Sequence, residues 1–150
     1  MKEIRRLPDS ICMLKHLKYL KLRYCQLLEQ LPKDLGMLES LEELHLTDCI
    51  SLREIPKSIC KMKSLKFLDL RFCILVENLP EEFGRLESLE ETNIEGAGIG
   101  HLPQSIFELK GLHIVGSRWR LESYGFTSLK QISTYTASCY IRDLQHESPL

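Results

Sequence analysis

The sequence contains no run of eighteen apolar residues and no field of charge of a single sign. The first absence excludes a transmembrane helix. The second excludes a nucleic-acid footprint and a polybasic membrane patch, because 20 Lys and Arg residues are interleaved with 21 Asp and Glu residues, for a net charge of -1. Met1 to Pro8 lack the apolar stretch of a secretory signal, and neither asparagine, Asn78 or Asn93, sits in an N-x-S/T acceptor. An intracellular address is therefore expected, cytoplasmic or nucleo-cytoplasmic. Also missing are H-E-x-x-H, C-x-x-C and G-x-S-x-G, so the five histidines form no metal pattern and no serine stands on a nucleophile elbow. The one glycine-rich stretch, Gly96-Ala97-Gly98-Ile99-Gly100, has neither the spacing nor the lysine of a phosphate-binding loop, and reads as a turn. The sequence predicts no enzyme, no cofactor and no metal; the expected partner is another protein.

What the chain does contain is repetition. Leucine or isoleucine followed by proline recurs at Leu7-Pro8, Leu31-Pro32, Ile55-Pro56, Leu79-Pro80 and Leu102-Pro103, at spacings of 24, 24, 24 and 23 residues. Between prolines runs L-x-x-L-x-x-L-x-L-x-x-C, a period that marks leucine-rich repeats stacked into a solenoid. In the first repeat Ile11, Leu14, Leu17 and Leu20 step by three, which suits a 3₁₀-like or helical segment; Leu20 and Leu22 step by two, as on a strand. Strands are predicted at 18–23, 42–47, 66–71, 90–95 and 113–118. Each is joined to the next by a convex segment opening at a proline, which gives a ladder no amide hydrogen. The predicted fold is α/β: a leucine-rich repeat solenoid with a curved parallel β-sheet on the concave face and short 3₁₀ or helical segments on the convex face.

Cys25, Cys49 and Cys73 follow the same 24-residue period, so they share one slot and read as buried thiols whose side chains run parallel into the core. Cys12 and Cys60 alternate with Gly36 and Gly84, a column that calls for small residues. Lys15, Glu39, Lys63, Glu87 and Lys110 alternate in sign, as do Lys18, Glu42, Lys66 and Glu90. Such columns are expected to pair across strands and fix register, and they point to a two-repeat unit of duplication. Ile4 matches Leu28, Leu52 and Val76, which suggests that the chain opens inside an earlier repeat, as a fragment without an N-terminal cap. Residues 1–120 are expected to hold about five repeats, N-terminally truncated. The last is degenerate, with Ser117 and Arg120 where leucine and cysteine belong, and Thr92 interrupts a core column. Residues 121–150 read as a β-prone tail with one strand over 132–141, the start of a segment that follows the repeats.

With Leu20 and Leu22 pointing inward, their neighbours point out, and each repeat offers four such positions. The columns are Tyr19, Glu43, Phe67, Glu91, Ile114; Lys21, His45, Asp69, Asn93, Gly116; Arg23, Thr47, Arg71, Glu95, Arg118; and Tyr24, Asp48, Phe72, Gly96, Trp119. Aromatic and arginine side chains gather there as they do in interface hot spots. The candidate protein-binding residues are Tyr19, Lys21, Arg23, Tyr24, His45, Asp48, Phe67, Asp69, Arg71, Phe72, Asn93, Arg118 and Trp119. Changing Arg23, Phe67, Arg71 and Phe72 together is expected to abolish binding without altering thermal unfolding.

The run from Leu7 to Pro32, L-P-x-S-I-C-x-L-K-x-L-K-Y-L-K-L-R-Y-C-x-L-L-E-Q-L-P, is echoed from Ile55 to Pro80 and resembles the repeat region of plant NLR disease-resistance proteins, most of all the TIR-NB-LRR class. In that family cysteine commonly takes the slot of Cys25, Cys49 and Cys73. The resemblance implies an intracellular immune receptor whose repeats sense a pathogen effector or a guarded host protein and restrain the receptor's own nucleotide-binding domain. It carries no ATP-binding or NAD-cleaving residue onto this sequence. The alternative is a free-standing scaffold of the intracellular Ras-group type, which shares L-P-x-x-I-x-x-L-x-x-L but favours asparagine in the cysteine slot.

Overall fold

The structure is a computed structural model and describes residues 3–126 and 138–140. Five short strands, β1 (Tyr19–Lys21), β2 (Glu43–His45), β3 (Phe67–Asp69), β4 (Glu91–Asn93) and β5 (His113–Val115), lie side by side in chain order, all parallel. A sixth, β6 (Ser138–Tyr140), runs antiparallel to β5. It falls within the strand expected at 132–141, the rest of which lies outside the described residues. The strands are shorter than predicted, but the ladder continues past them: the Leu22 amide donates to His45 O at 2.8 Å and the Tyr24 amide to Thr47 O at 2.7 Å, with equivalents in the next repeats.

Each convex segment is a 3₁₀ turn, and the turns alternate. Asp9–Met13, Lys57–Lys61 and Gln104–Glu108 have five residues and follow an extended proline; Leu35–Met37 and Phe83–Arg85 have three. The Gly36 amide donates to Ser58 Oγ at 3.0 Å and the Gly84 amide to Ser105 Oγ at 2.9 Å. A Cβ on Gly36 would lie 1.9 Å from the Ser58 carbonyl oxygen, and one on Gly84 would lie 2.2 Å from that of Ser105. The small-residue column is therefore a place where two backbones touch, and the two-repeat unit read from charge reappears in the turns. Of the alternating charges themselves, Lys63 and Glu87 meet at 3.8 Å. Both are exposed, so the pair is worth about 0–1 kcal/mol.

The core is one continuous stack. Leu44, Leu68 and Ile114 are fully buried in one column, and Leu46 and Leu70 in the next. Each side chain of this kind contributes roughly 1.5–3 kcal/mol, and it becomes buried only when the neighbouring repeats are present. Thr92 occupies the core column as expected. It is fully buried because its hydroxyl donates to Leu68 O at 3.2 Å, which satisfies the polar group that leucine would lack.

Cys25, Cys49 and Cys73 are buried and unpaired by disulfides. The Cys49 thiol donates to Leu22 O at 3.1 Å and the Cys73 thiol to Leu46 O at 3.0 Å, stitching each repeat to the one before it. Burial pushes both thiols up to about 12, far from the thiolate form that alkylating reagents attack. Cys49 and Cys73 should therefore resist iodoacetamide in the native protein and label only when denaturant is added. Rapid native labelling, read by mass spectrometry, would show that this column is not the core.

The fifth repeat departs from the expected register. Leucines at the strand entry are spaced L-x-x-L at Leu17–Leu20, but the corresponding apolar residues here are Leu112 and Ile114, one residue closer. His113 therefore pairs with Glu91, Ile114 with Thr92 and Val115 with Asn93. Ile114 and Gly116, expected on the outer columns, are buried instead. Arg118 and Trp119, expected to continue the concave columns, belong to a helix, α1 (Arg118–Ser123). The core also runs past the boundary expected at 120, since Leu121 and Phe126 are fully buried. Arg120 and the Tyr124 hydroxyl both donate to Ile99 O, at 3.1 and 2.5 Å, and so fasten α1 across the fourth repeat's loop.

Candidate protein-binding surface

The parallel register places the predicted concave residues in rows: Tyr19 beside Glu43, Phe67 and Glu91, and Lys21 beside His45, Asp69 and Asn93. Exposure separates them into three groups. Tyr19, Tyr24 and Phe72 are 53%, 50% and 44% exposed, and Lys21 and Arg23 stand out into solvent with them. Phe67, Arg71, Asp48 and Asn93 are half-buried. His45 and Asp69, expected to be offered to a partner, are buried, at 5% and 0% exposure. Both sit in a central column with a strand on each side about 4.8 Å away, and longer neighbours lie across them. Trp119 is 63% exposed on α1, with the Arg120 guanidinium 4.6 Å from its ring centroid.

The buried polar groups form a network that holds the exposed ones. Arg23 Nη2 donates to His45 Nδ1 at 3.1 Å. A guanidinium has no acceptor, so Nδ1 accepts and Nε2–H donates to Glu43 Oε2 at 2.8 Å. The Phe67 ring packs on the imidazole, with centroids 5.0 Å apart. One strand further on, the Thr47 hydroxyl donates to Asp69 Oδ2 at 2.8 Å, and Arg71 grips the same carboxylate through Nε at 3.0 Å, Nη2 at 2.7 Å and its amide at 3.0 Å. Burial pushes the Asp69 carboxyl up, but the Arg71 and Thr47 hydrogen bonds and the Arg71 charge outweigh it and hold the group below its ordinary value. The hydrogen bonds to Asp69, with its charge, raise Arg71. On the far side His113 Nδ1 meets Glu91 Oε1 at 3.2 Å.

His113 and Val115 thus join the concave rows, which the 23-residue spacing of the last two prolines did not indicate. The shortened leucine step at Leu112 was the signal that could have placed them. The arrangement offers a rigid floor of hydrogen-bonded polar groups under a fringe of tyrosine, phenylalanine, lysine and arginine. Cations lie toward β1, at Lys21 and Arg23. Carboxylates lie toward β4, at Glu91 and Glu95, where the Glu95 amide is held by Asn93 Oδ1 at 3.1 Å.

A family model described as Zer-1-like leucine-rich repeats matches residues 9–92. No curated protein matches the chain significantly. Among solved structures, the chain is similar to the leucine-rich repeat domain of the type III effector XopL. There the identity is 37%, the TM-score 0.65, and the match covers 71% of this chain and 36% of that one. It is also similar to a leucine-rich repeat protein of Leptospira interrogans, at 30% identity and a TM-score of 0.52, covering 76% of this chain and 34% of the other. The chain thus spans about a third of the length of the structures it matches. On the repeat period, the stacked parallel strands and these matches, the chain belongs to the leucine-rich repeat proteins of the Zer-1-like family, which are protein-interaction modules.

Proposed function

We propose that this chain is the protein-recognition segment of a plant intracellular immune receptor. In this reading it senses a pathogen effector or a guarded host protein and restrains the receptor's nucleotide switch from the cytoplasm or nucleus, with no catalysis of its own. The observation that carries the binding part is the fringe of Tyr19, Lys21, Arg23 and Tyr24, with Phe72 two strands away, exposed over a pre-organised polar floor. Tyrosine and arginine supply contact area and bidentate donors with little side-chain entropy to lose when their bases are already fixed. The plant receptor part is supported by the L-P-x-S-I-C run at Leu7–Cys12, echoed as I-P-x-S-I-C at Ile55–Cys60, and by the cysteine slot, filled here by thiols that hydrogen-bond the preceding repeat. The similarity to the repeat domain of a type III effector supports protein recognition but not the immune setting.

Two experiments test the two parts. An in-frame nucleotide-binding switch domain in the transcript upstream of Met1 supports the receptor reading, and a free-standing reading frame favours the scaffold. For the surface, the expected substitutions change with the structure. Arg71 is the counter-ion of a fully buried carboxylate and Phe67 packs on His45, so the four-residue change expected to spare unfolding would not do so. Tyr19→Ser and Lys21→Ser together are the cleaner variant, because Arg23 donates to the buried His45 and its loss would leave that ring nitrogen without a partner. It should lose partner capture while unfolding stays within about 0.5 kcal/mol of wild type per site. Undiminished capture would end the concave-face reading.

A further inference from the structure

We infer that Tyr24 and Phe72 form a docking edge for one face of an acidic amphipathic helix from a protein partner. This rests on the concave-face reading and narrows it to the border where each strand turns into its ascending loop. At that turn the backbone takes positive φ in four successive repeats: 62° at Tyr24, 60° at Asp48, 60° at Phe72 and 70° at Gly96. Glycine adopts this conformation freely and aspartate tolerates it, whereas for a bulky aromatic residue it is an outlier. The same turn is thus made with relaxed residues in two repeats and strained ones in the other two.

Burial does not offset the strain, because both rings remain about half exposed. The Phe72 ring does lie against Gly96, where a Cβ would come 2.3 Å from it, yet 44% of the residue still faces solvent. Strain kept without burial points to contact with something outside the chain. Just beyond the turn Leu27, Ile74 and Leu75 are also exposed, at 38%, 54% and 38%, so five large apolar side chains follow one edge.

Spacing and charge choose the occupant. Tyr24 and Phe72 are two strands apart, about 10 Å at the usual strand separation. Same-face side chains on an extended strand recur about every 6.7 Å and miss that interval, while positions i and i+7 of a helix, about 10.5 Å apart, meet it. On the concave side the ridge is bordered by Lys21, Arg23 and Arg71. Arg71 is answered by Asp69, which leaves Lys21 and Arg23 as the cations open to a partner. Asp48, between the two rings, and Glu95 beyond them are the acidic groups on this border. The helix therefore brings its carboxylates to the β1 end.

The test is selection from a displayed library of amphipathic helices with a constant leucine stripe and randomised flanks. Binders rich in Asp and Glu are expected, and Tyr24→Asn with Phe72→Asn should weaken them about tenfold or more while leaving Tm equal or higher. Binders without acidic excess, binding untouched by the asparagine pair, no binder at all, or a lowered Tm would each overturn the docking edge. Binders lost in the Tyr19, Lys21 variant but kept by the asparagine pair would overturn it too, while leaving the concave-face reading in place.

Discussion

Replacing Arg71 with Met should destabilise the protein by about 2 kcal/mol at neutral pH, and the loss should shrink as the pH is lowered. Removing one partner of a fully buried ion pair costs about 3–5 kcal/mol; Arg71 is 39% exposed while Asp69 is 0% exposed, so solvent screening brings the expected cost below that range. In the wild type the folded pKa of Asp69 lies below its unfolded value of about 3.9. Its contribution is therefore complete above that pH and disappears as pH falls through the folded pKa. Without Arg71 the carboxylate keeps Thr47 and a backbone amide, but burial prevails and its folded pKa rises above the unfolded one. The variant then gains stability as it takes up a proton, and the two stability curves converge toward acid. Urea unfolding from pH 7 to pH 4 measures this; parallel curves would show that Asp69 carries no charge in the native protein. Asp69→Asn, which removes the charge together with the need for a counter-ion, should cost less than Arg71→Met.

The second large effect is steric. Gly36→Ala places a methyl carbon 1.9 Å from the Ser58 carbonyl oxygen, so two backbones must separate. It also strains the bond from the Gly36 amide to Ser58 Oγ. Overpacking of this kind typically costs 1–3 kcal/mol, and a clash with main chain belongs at the upper end, about 3 kcal/mol. For a chain of this size that is a fall in Tm of roughly 10 °C. Gly100→Ala and Gly111→Ala are the controls: nothing lies within 4 Å of either added carbon, and neither has positive φ. Calorimetry that found all three alike would show that the contact between turns relaxes freely.

The fold was legible because its information is periodic. Leucines at Leu20, Leu44 and Leu68 occur every 24 residues and are buried in one column, so one repeat predicts the next. The cysteine slot and the small-residue column followed from the same arithmetic. Where the period broke, the reading broke with it: the step shortened at Leu112 moved Ile114 into the core, and Arg118 opened a helix. The binding surface was legible only in part. Strand alternation states which way a side chain leaves the backbone, and that held for Tyr19 and Lys21. It does not state what lies across the side chain, and so His45 and Asp69 were expected outside although Arg23, Phe67, Thr47 and Arg71 enclose them. The positive φ of Tyr24 and Phe72 was hidden for a related reason, since only Gly96 in that column announces such a turn by its residue type.

The glycine of one turn and the serine of the turn after it make a matched lock, and the lock recurs at Gly36–Ser58 and Gly84–Ser105. An array assembled this way changes length safely only by even numbers. Excising the second repeat alone would bring Cys12 to the position of Gly36, with its Cβ driven into a peptide oxygen, whereas excising the second and third together would set Cys12 before Glu82, as Cys60 is now. Gene rearrangements that lengthen or trim this protein without breaking it should therefore move two coils at once.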